Sequence, residues 1–431
     1  MTQIQNYIER DAANISPSYT RSYPFVMAKG RGSEVWDVDG NRYVDFATGI
    51  AVTNTGHSHP AVVQAIKDQA DQFLHMSGTD FYYSTQIELA ERLNKLAPIS
   101  GPTKVFFGNS GAEAVEAAMK LARWRTRRPR FLAFYSAFHG RTFGALSLTA
   151  SKYIQRQGFA PLLPMVSHAF YPNPYRNRWP GRDVGEAALD YIENELFKTT
   201  TPPDEVAAII VEPIQGEGGY IVPPDNFLPG LRELCDRHGI LLVFDEVQTG
   251  FGRTGKLFAT EHFDVEPDII CLAKGIASGM PLGAIVARDE IMSWPPGAHA
   301  STFGGNPVSC AAALATLDLL EGGFVEMAAE SGAYLRARLR EIADRYPQIG
   351  DVRGKGLMVG AELVKDRASK EPAPELRNLI VEKAYENGLL MLGCGLNSLR
   401  FIPALNIPRD LLDEGVDLFE RALAQALASA D

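Results

Sequence analysis

The sequence has few cysteines, and their spacing excludes two kinds of cross-linked architecture. Only 4 of the 431 residues are cysteine, and no two form a Cys-x-x-Cys pair. They are Cys235, Cys271, Cys310 and Cys394. Neither a disulfide framework nor a zinc site is therefore predicted, and no metal is expected. Isolated cysteines of this kind are typical of buried thiols in a reducing, cytoplasmic setting.

The sequence also lacks an excess of basic residues and a long apolar run. The formal net charge is -10, whereas nucleic acid and anionic membranes select basic surfaces, so neither is expected as a partner. No secretory leader is recognised, and no stretch reaches the roughly 18 consecutive apolar residues of a membrane span. With 45% hydrophobic and 22% charged residues, the composition predicts a globular cytoplasmic protein that acts on small molecules.

Apolar runs alternate with helical periodicity through the middle of the chain. The runs are residues 105–107, 131–135, 207–211, 241–244, 269–272 and 284–287. Such runs are typical of strands buried on both faces. The alternation predicts an α/β fold, in which a mostly parallel sheet is covered by helices on both sides.

Two further regions flank these runs. Residues 34–38 and 42–46 alternate apolar and polar around an Asp-Gly dipeptide, which predicts a tight hairpin. After Pro307 a long helical stretch to about residue 346 precedes a mixture of strand and helix patterns. We therefore divide the chain into an N-terminal segment (1–60), a large domain (61–307) and a small α+β C-terminal domain (308–431).

Two polar residues stand at the ends of neighbouring predicted strands. Asp245 follows the run 241–244, and Lys274 follows the run 269–272. A lysine amine can form a Schiff base with pyridoxal phosphate, and a carboxylate can keep the pyridine nitrogen of that cofactor protonated. Taken alone, the pair is better explained by one of many lysines and a strand-end N-cap, so the rest of the chain has to decide.

The run 105–107 is followed by the start of a helix that is expected to reach about residue 127. Its first residues, Ser110, Gly111 and Ala112, would present free N–H groups to a phosphate. A capping box between Ser110 and Glu113 explains the same residues without a ligand.

Other candidates follow the same strand ends. Phe138 could lie flat on a cofactor ring, or simply pack in the core. Val247 points the same way as Asp245, because side chains alternate, and could cover the opposite face of the ring. Gln248 could donate to the ring hydroxyl, or bond only to backbone.

Six motifs occur in an order that matches one known family. They are Asn109-Ser110-Gly111-Ala112-Glu113-Ala114, Phe138-His139-Gly140-Arg141-Thr142, Glu212-Pro213-Ile214-Gln215-Gly216-Glu217-Gly218-Gly219, Asp245-Glu246-Val247-Gln248-Thr249-Gly250, Leu272-Ala273-Lys274-Gly275 and Thr302-Phe303-Gly304-Gly305-Asn306-Pro307. Over nearly its whole length the chain resembles the class III pyridoxal-phosphate aminotransferases, the 4-aminobutyrate, ornithine and acetylornithine aminotransferase group. Within that group it is most similar to the 4-aminobutyrate enzymes.

The resemblance implies fold type I, with a small domain formed by the C-terminus and the N-terminal segment. It makes Lys274 and Asp245 the catalytic pair, with pyridoxal 5'-phosphate as the cofactor. The implied cofactor-binding residues are Ser110, Gly111, Ala112, Phe138, His139, Asp245, Val247, Gln248, Lys274 and Thr302. Because the threonine at position 302 reaches the phosphate bound by the neighbouring subunit in that family, a homodimer or a larger even assembly is expected.

The resemblance also implies a ping-pong transfer of an amino group from an ω-amino acid such as 4-aminobutyrate to a keto acid such as 2-oxoglutarate. Arg141 and Arg400 match the family's carboxylate-binding arginines, and Glu217 matches the acid that pairs with the second arginine when no α-carboxylate is bound. Each arginine could instead belong to a static ion pair. Ile50 would form an apolar wall.

Alternative substrates and a second reaction stay open. Ornithine or lysine would need an acceptor for a second ammonium group, for which Asp80 is a candidate, although a solvated loop residue or cap explains Asp80 slightly better. Acetylornithine is a further alternative donor. Some relatives racemise or epimerise amino acids, which requires an acid or base on each face of the substrate carbon. The second face would fall near Glu217, where the racemising branch carries an aspartate, so the glutamate favours transamination.

Overall fold

The structure is a computed structural model that describes residues 2–430. Residues 1 and 431, the outer ends of the first and last predicted segments, lie outside it. Over the described range the strands are β1 (Met27–Arg31), β2 (Glu34–Asp37), β3 (Arg42–Asp45), β4 (Thr103–Gly108), β5 (Arg130–Phe134), β6 (Val166–Ala169), β7 (Val206–Val211), β8 (Leu241–Asp245), β9 (Ile269–Leu272), β10 (Gly283–Arg288), β11 (Ile349–Lys355), β12 (Met358–Leu363), β13 (Leu389–Leu390), β14 (Leu392–Cys394) and β15 (Ser398–Phe401).

Helices connect and cover these strands. The α-helices are α1 (Gln3–Asn14), α2 (Thr48–Ala51), α3 (Pro60–Gln72), α4 (Ser84–Leu96), α5 (Gly111–Thr126), α6 (Phe143–Leu148), α7 (Val184–Asp190), α8 (Phe197–Thr199), α9 (Phe227–His238), α10 (Pro307–Leu319), α11 (Val325–Arg345), α12 (Pro374–Glu386) and α13 (Arg409–Ala430). Short 3-10 turns occupy Tyr153–Gln155, Pro203–Glu205, Ala259–His262 and Lys274–Ala277, and wider π-turns occupy Tyr191–Leu196 and Leu320–Phe324.

The predicted parallel sheet is present, and it forms the centre of the molecule. Its seven strands lie in the order β4-β10-β9-β8-β7-β5-β6, and only β10 runs antiparallel to its neighbours. All six predicted apolar runs are strands of this sheet. The edge strand β6 was not predicted, because its central residues Ser167 and His168 are polar and an edge strand needs no continuous apolar run.

Both faces of this sheet are buried, as parallel sheets require. Every residue of β7 is buried. The helix α5 packs seven buried residues against one face, and α9 covers β8 with five. The carboxyl ends of β8 and β9 therefore open at one edge of a rigid scaffold.

The N-terminal hairpin is also confirmed. Strands β2 and β3 pair as predicted, and Gly40 takes the positive φ of 91° that their turn requires. The sequence did not reveal that β1 joins β2 and that β13 pairs in parallel with β3. This four-stranded sheet thus connects the N-terminal segment to the C-terminal part of the chain, whose own sheet has the order β11-β12-β15-β14.

The long helix predicted after Pro307 is interrupted. A π-turn separates α10 from α11, and Gly323 has a φ of 117° there. The stretch Pro307–Arg345 includes a window with a mean hydropathy of 1.5, which by length and composition alone would suffice for a membrane span. Nine residues of α10 are buried, and the helix packs against α3, α4 and the turn that carries Lys274, as expected for a core helix.

Candidate active site

The two polar strand-end residues lie at adjacent strand ends. Asp245 is the last residue of β8 and pairs with Cys271 of β9, while Lys274 begins the turn that follows β9. A cavity of about 450 Å³ opens there. Nearly all of the predicted cofactor-binding residues line it: Ser110, Gly111, Ala112, Phe138, His139, Asp245, Val247, Gln248 and Lys274. Arg141 lines it as well.

Asp245 is buried, and its two oxygens have different partners. Oδ1 accepts a hydrogen bond from the Val247 N–H at 3.0 Å, and Oδ2 lies 2.6 Å from Nδ1 of the buried His139. Burial alone would lower the pKa of His139, but the hydrogen bond and the charge of Asp245 outweigh it, so that pKa is raised. Asp245 and His139 thus form one buried, hydrogen-bonded pair at the base of the cavity.

Lys274 has a backbone φ of 47°, in the left-handed region that few non-glycine residues adopt. Burial lowers the pKa of its amine, although the negative charges of Asp245 and Glu212 oppose that shift. A larger neutral fraction makes the amine a better nucleophile. The strained backbone conformation of Lys274 is typical of functional positions.

The N-terminus of α5 lines the same cavity as Lys274. Ser110 is the N-cap, and its Oγ accepts from the Glu113 N–H at 3.2 Å. The return bond of the predicted capping box is shifted by one residue, because Glu113 Oε2 accepts from the Asn109 N–H at 2.7 Å. The N–H groups of Gly111 and Ala112, in the first helical turn, have no intrahelical acceptor and can bind a phosphate.

Close packing narrows this cavity to a slot between the N-terminus of α5 and Val247. A methyl group added at Gly111 would lie 2.8 Å from Cγ1 of Val247, and one added at Gly140 would lie 2.8 Å from Cβ of Ala112. The backbone N–H groups at the start of α5, the Asp245 carboxylate and the Lys274 amine therefore border the same space. These residues fit pyridoxal phosphate. No cluster of three or more metal-ligating side chains occurs within residues 2–430.

Glu212 lines the same cavity, and the sequence analysis assigned it no role. It is buried, and its oxygens accept from the N–H groups of Gly216 at 3.0 Å and Phe138 at 3.2 Å. Burial raises the pKa of Glu212 to about 7. Glu212 directly follows β7, as Asp245 ends β8, so the rule that ligand sites lie at the carboxyl ends of strands could have identified it.

Gln248 is held by a residue that was not predicted. The hydroxyl of the buried Tyr220 donates to Oε1 of Gln248 at 2.8 Å. This bond assigns the amide orientation, so that Nε2 is the free donor of the side chain. The donor is close to Gly216, where a methyl group would lie 2.4 Å from it.

The two predicted arginines have different environments. Arg141 is exposed, lies 5.5 Å from the centre of the Phe138 ring, and forms no ion pair with any described residue. Arg400, on β15, is 5% exposed, and its Nη1 lies 3.2 Å from Glu217 Oε2. The other oxygen of Glu217 lies 2.6 Å from Nζ of Lys152, a residue that the sequence analysis did not single out.

Ile50 belongs to a turn with an uncommon backbone. All four residues of α2 have positive φ, with Ile50 at 68°, which is strained for a β-branched side chain. The buried Asp45 stabilises the start of the turn by accepting two of its N–H groups, and its second oxygen lies 2.7 Å from His57 Nε2. Ile50 itself is 43% exposed, and the neighbouring Val52 lines the cavity.

Five predicted site residues do not line this cavity: Ile50, Asp80, Glu217, Thr302 and Arg400. The charges of Glu217 and Arg400 still act on the Lys274 amine. Asp80 is exposed, and its carboxylate accepts a hydrogen bond from Ser77 Oγ at 3.1 Å. Thr302 is exposed too, on a loop that Ser301 anchors to the Asn109 side chain at 3.0 Å. The structure does not bring either of them to Lys274 within one chain.

Comparisons with known proteins identify the family of the chain. The family model for aminotransferase class-III matches residues 15–423. An alanine/serine racemase of Pyrococcus horikoshii is 42% identical over 430 residues, which cover 97% of this chain and 90% of that protein. A 4-aminobutyrate aminotransferase of Mycobacterium leprae is also 42% identical, with coverage of 93% and 91%.

A solved structure extends the likeness to the fold and cofactor. An amine transaminase from an uncultivated Pseudomonas species, in its PLP-bound form, matches with a TM-score of 0.88 and 34% identity over 96% of this chain and 98% of that one. The predicted family, fold type I and pyridoxal phosphate as cofactor are confirmed. The chain belongs to the class-III aminotransferases, pyridoxal-phosphate enzymes that act on small-molecule amino donors and keto acids.

Proposed function

We propose that the enzyme transfers the amino group of an ω-amino acid, with 4-aminobutyrate as the model donor, to 2-oxoglutarate in ping-pong order. The observation that carries this proposal is the pair of arginines. Arg141 is free of ion pairs, whereas Arg400 is held by Glu217. One site can thus accept first a substrate with a distant carboxylate and then one with an additional α-carboxylate.

Pyridoxal phosphate, when bound, supplies an aldehyde that receives the amino group and a ring that takes up electrons. The residues of this chain supply the rest. Nζ of Lys274 takes the proton from the substrate carbon that bears the amine, and its lowered pKa favours the neutral base. Asp245, which His139 holds in place, would hold the ring nitrogen so that the ring can take up electrons. Val247 and Phe138 would hold the ring itself.

Charge pairing favours a donor with one carboxylate. A guanidinium binds a carboxylate through two parallel hydrogen bonds, so Arg141 holds the far carboxylate of 4-aminobutyrate. Arg400 stays with Glu217 during this half-reaction. When 2-oxoglutarate enters, its α-carboxylate recruits Arg400 away from Glu217, and its second carboxylate takes the place on Arg141.

Ornithine and lysine, and acetylornithine, are less well supported as donors. The only acidic candidate for a second ammonium group that the sequence suggested was Asp80, which is exposed and already bonded to Ser77. The residue at the strained turn of α2 is the apolar Ile50, which cannot accept a hydrogen bond from an ammonium group.

Amino-acid racemisation is the second candidate, favoured by the similarity to the racemase of Pyrococcus horikoshii. It requires a free acid or base on the substrate face opposite Lys274. Glu217 is the acid predicted for that face, but both of its oxygens are ion-paired, with Arg400 and Lys152. A carboxylate held in this way is a poor proton carrier, which supports transamination.

We further propose that the enzyme works as a homodimer in the cytoplasm, where its four buried, unpaired thiols stay reduced. Exposed apolar side chains occur both on the loop that carries Thr302 and in the segment 73–82: Phe73, Leu74, Met76, Phe81, Tyr82 and Phe303. The rings of His75 and Phe303 lie 4.9 Å apart, so the two segments form one surface. Patches of this kind mark interfaces, and a two-fold copy would bring Thr302 towards a second cavity.

The test is a steady-state assay of the holoenzyme with 4-aminobutyrate and 2-oxoglutarate, in which glutamate and the aldehyde product are measured. Parallel double-reciprocal lines, as ping-pong kinetics requires, support the proposal. If no glutamate forms while L-alanine alone is converted to D-alanine, the enzyme is a racemase and the proposal is wrong.

A further inference from the structure

We propose that Lys152 is a positioning residue for the keto-acid half-reaction, because it receives Glu217 when Arg400 leaves to bind the α-carboxylate. The inference rests on the proposed function and adds to it a third member of the switch. Its basis is the bridging position of Glu217. One carboxylate oxygen lies 2.6 Å from Lys152 Nζ, and the other lies 3.2 Å from Arg400 Nη1.

The two cations have unequal access to water. The side chain of Arg400 is 6% exposed, that of Glu217 17% and that of Lys152 41%. Separating Glu217 from Arg400 would leave a largely buried carboxylate without a countercharge, which is unfavourable. Lys152 keeps a positive charge beside Glu217 whether Arg400 is paired with Glu217 or not. The release of Arg400 therefore costs less free energy.

The backbone fixes Lys152 at this place. Ala150 exchanges backbone hydrogen bonds with Ser136 and Ala137, and Thr149 Oγ1 accepts from the His139 N–H at 2.9 Å. On the other side of Lys152, the Arg156 guanidinium donates to three carbonyl groups at the end of α6. Lys152 is therefore held relative to the same loop that carries Phe138 and His139.

The loop that carries Glu217 is held as well. Gln215 and Ile221 pair through two backbone hydrogen bonds of 3.1 Å, and the Glu217 carbonyl accepts from the Gly395 N–H at 2.7 Å. A methyl group at Gly218 would lie 2.8 Å from the Ser136 carbonyl oxygen, so this loop also packs against the Lys152 side. With both backbones held, only the side chains need to move in the switch.

The arrangement makes an asymmetric prediction. In the donor half-reaction Arg400 stays with Glu217, and Lys152 is not needed. In the keto-acid half-reaction Lys152 is the remaining cation for Glu217. Replacing Lys152 should therefore weaken the binding of 2-oxoglutarate and leave the binding of 4-aminobutyrate nearly unchanged.

The experiment follows each half-reaction separately by rapid mixing, using the visible absorbance of the bound cofactor. Holoenzymes of the natural protein, Lys152→Met, Lys152→Arg, Glu217→Gln and the double variant Lys152→Met/Glu217→Gln are compared. We expect Lys152→Met to raise the apparent dissociation constant for 2-oxoglutarate roughly fivefold, as for a partly exposed ion pair. The value for 4-aminobutyrate should change by less than about twofold, and Lys152→Arg should restore the natural behaviour, because a guanidinium can still pair with Glu217.

The double variant separates positioning from direct substrate contact. If Lys152 acts through Glu217, adding Lys152→Met to Glu217→Gln should change the 2-oxoglutarate constant by less than about twofold. The inference would be overturned if Lys152→Met weakened the binding of both substrates equally. It would also be overturned if Lys152→Met had its full effect on 2-oxoglutarate binding in the Glu217→Gln background. Should Lys152→Met fail to fold, Lys152→Gln, which keeps a polar chain without the charge, replaces it in the same comparison. A natural enzyme that completes neither half-reaction would contradict the proposed function itself, a different outcome.

Discussion

Nδ1 of His139 lies 2.6 Å from Oδ2 of Asp245, and both side chains are buried at the base of the cavity. The first prediction follows from this contact. His139→Ala would leave the Asp245 carboxylate without its charged partner, so we expect kcat/KM to fall roughly 10- to 100-fold, as for other residues that orient a site from behind. His139→Asn, whose amide can take the place of Nδ1, should recover part of the loss. Unchanged kinetics in His139→Ala would show that Asp245 needs no support.

The close contact between α5 and Val247 gives a second prediction. A methyl group at Gly111 would lie 2.8 Å from Val247 Cγ1, so Gly111→Ala must push apart the two walls of the slot. Overpacking of this kind costs about 1–3 kcal/mol, and we expect the dissociation constant of pyridoxal phosphate to rise about tenfold or more. The matched control is Gly322→Ala, where the added methyl group meets open space. Equal cofactor affinity in both variants would contradict the assignment of this slot.

A third prediction concerns Thr302, which lies outside the cavity of its own chain. If the site is shared in a dimer, Thr302→Ala removes a hydrogen bond to the phosphate in the partner's site. Hydrogen bonds to charged groups contribute about 1.5–3 kcal/mol, so the cofactor dissociation constant should rise about tenfold. Thr199→Ala, an exposed threonine of α8, serves as control. A monomer in sedimentation, with no effect of Thr302→Ala, would count against the shared site.

A fourth prediction follows from the burial of Glu246. It accepts hydrogen bonds from Thr249, Ala259 and Thr260, and burial raises its pKa from 4.5 to about 7. Because the folded protein favours the protonated form, the stabilisation from Glu246 is fully present below pH 4.5 and is lost as the pH rises through about 7. A shift of this size corresponds to as much as about 3 kcal/mol.

The measurement for Glu246 is the thermal midpoint of the natural protein and of Glu246→Gln at several pH values between 5 and 8. The natural protein should lose more stability than the variant across this range, because only its side chain ionises. Identical slopes for the two proteins would mean that Glu246 does not titrate there.

The sequence predicted the large sheet well because strands buried on both faces read as continuous apolar runs. All six such runs, from β4 to β10, were found within a residue or two of their observed bounds. Several strands were missed, among them β1 and β6. These two have mixed or polar residues, so their pairing depends on the neighbouring strand and not on their own pattern.

The site was predictable where a residue stands at or just beyond the end of a strand, as Asp245 and Lys274 do. The role of Lys152 was not predictable, because Lys152 follows no strand. Its contact with Glu217, 65 positions away in the chain, forms only when the protein folds. The left-handed turn of α2 was equally hidden, since it depends on bonds from Asp45 and not on glycine at every position. Long-range contacts and backbone strain leave little trace in local sequence.

The most direct test of the central claim is a single half-reaction. The holoenzyme is mixed with 4-aminobutyrate in the absence of any keto acid, with Lys274→Ala as a parallel sample, and the visible absorbance of the cofactor is followed. The account predicts that the natural enzyme is bleached within its turnover time and regains its colour on addition of 2-oxoglutarate, while Lys274→Ala shows no such cycle. If 4-aminobutyrate leaves the absorbance unchanged, or if Lys274→Ala cycles normally, the account is wrong.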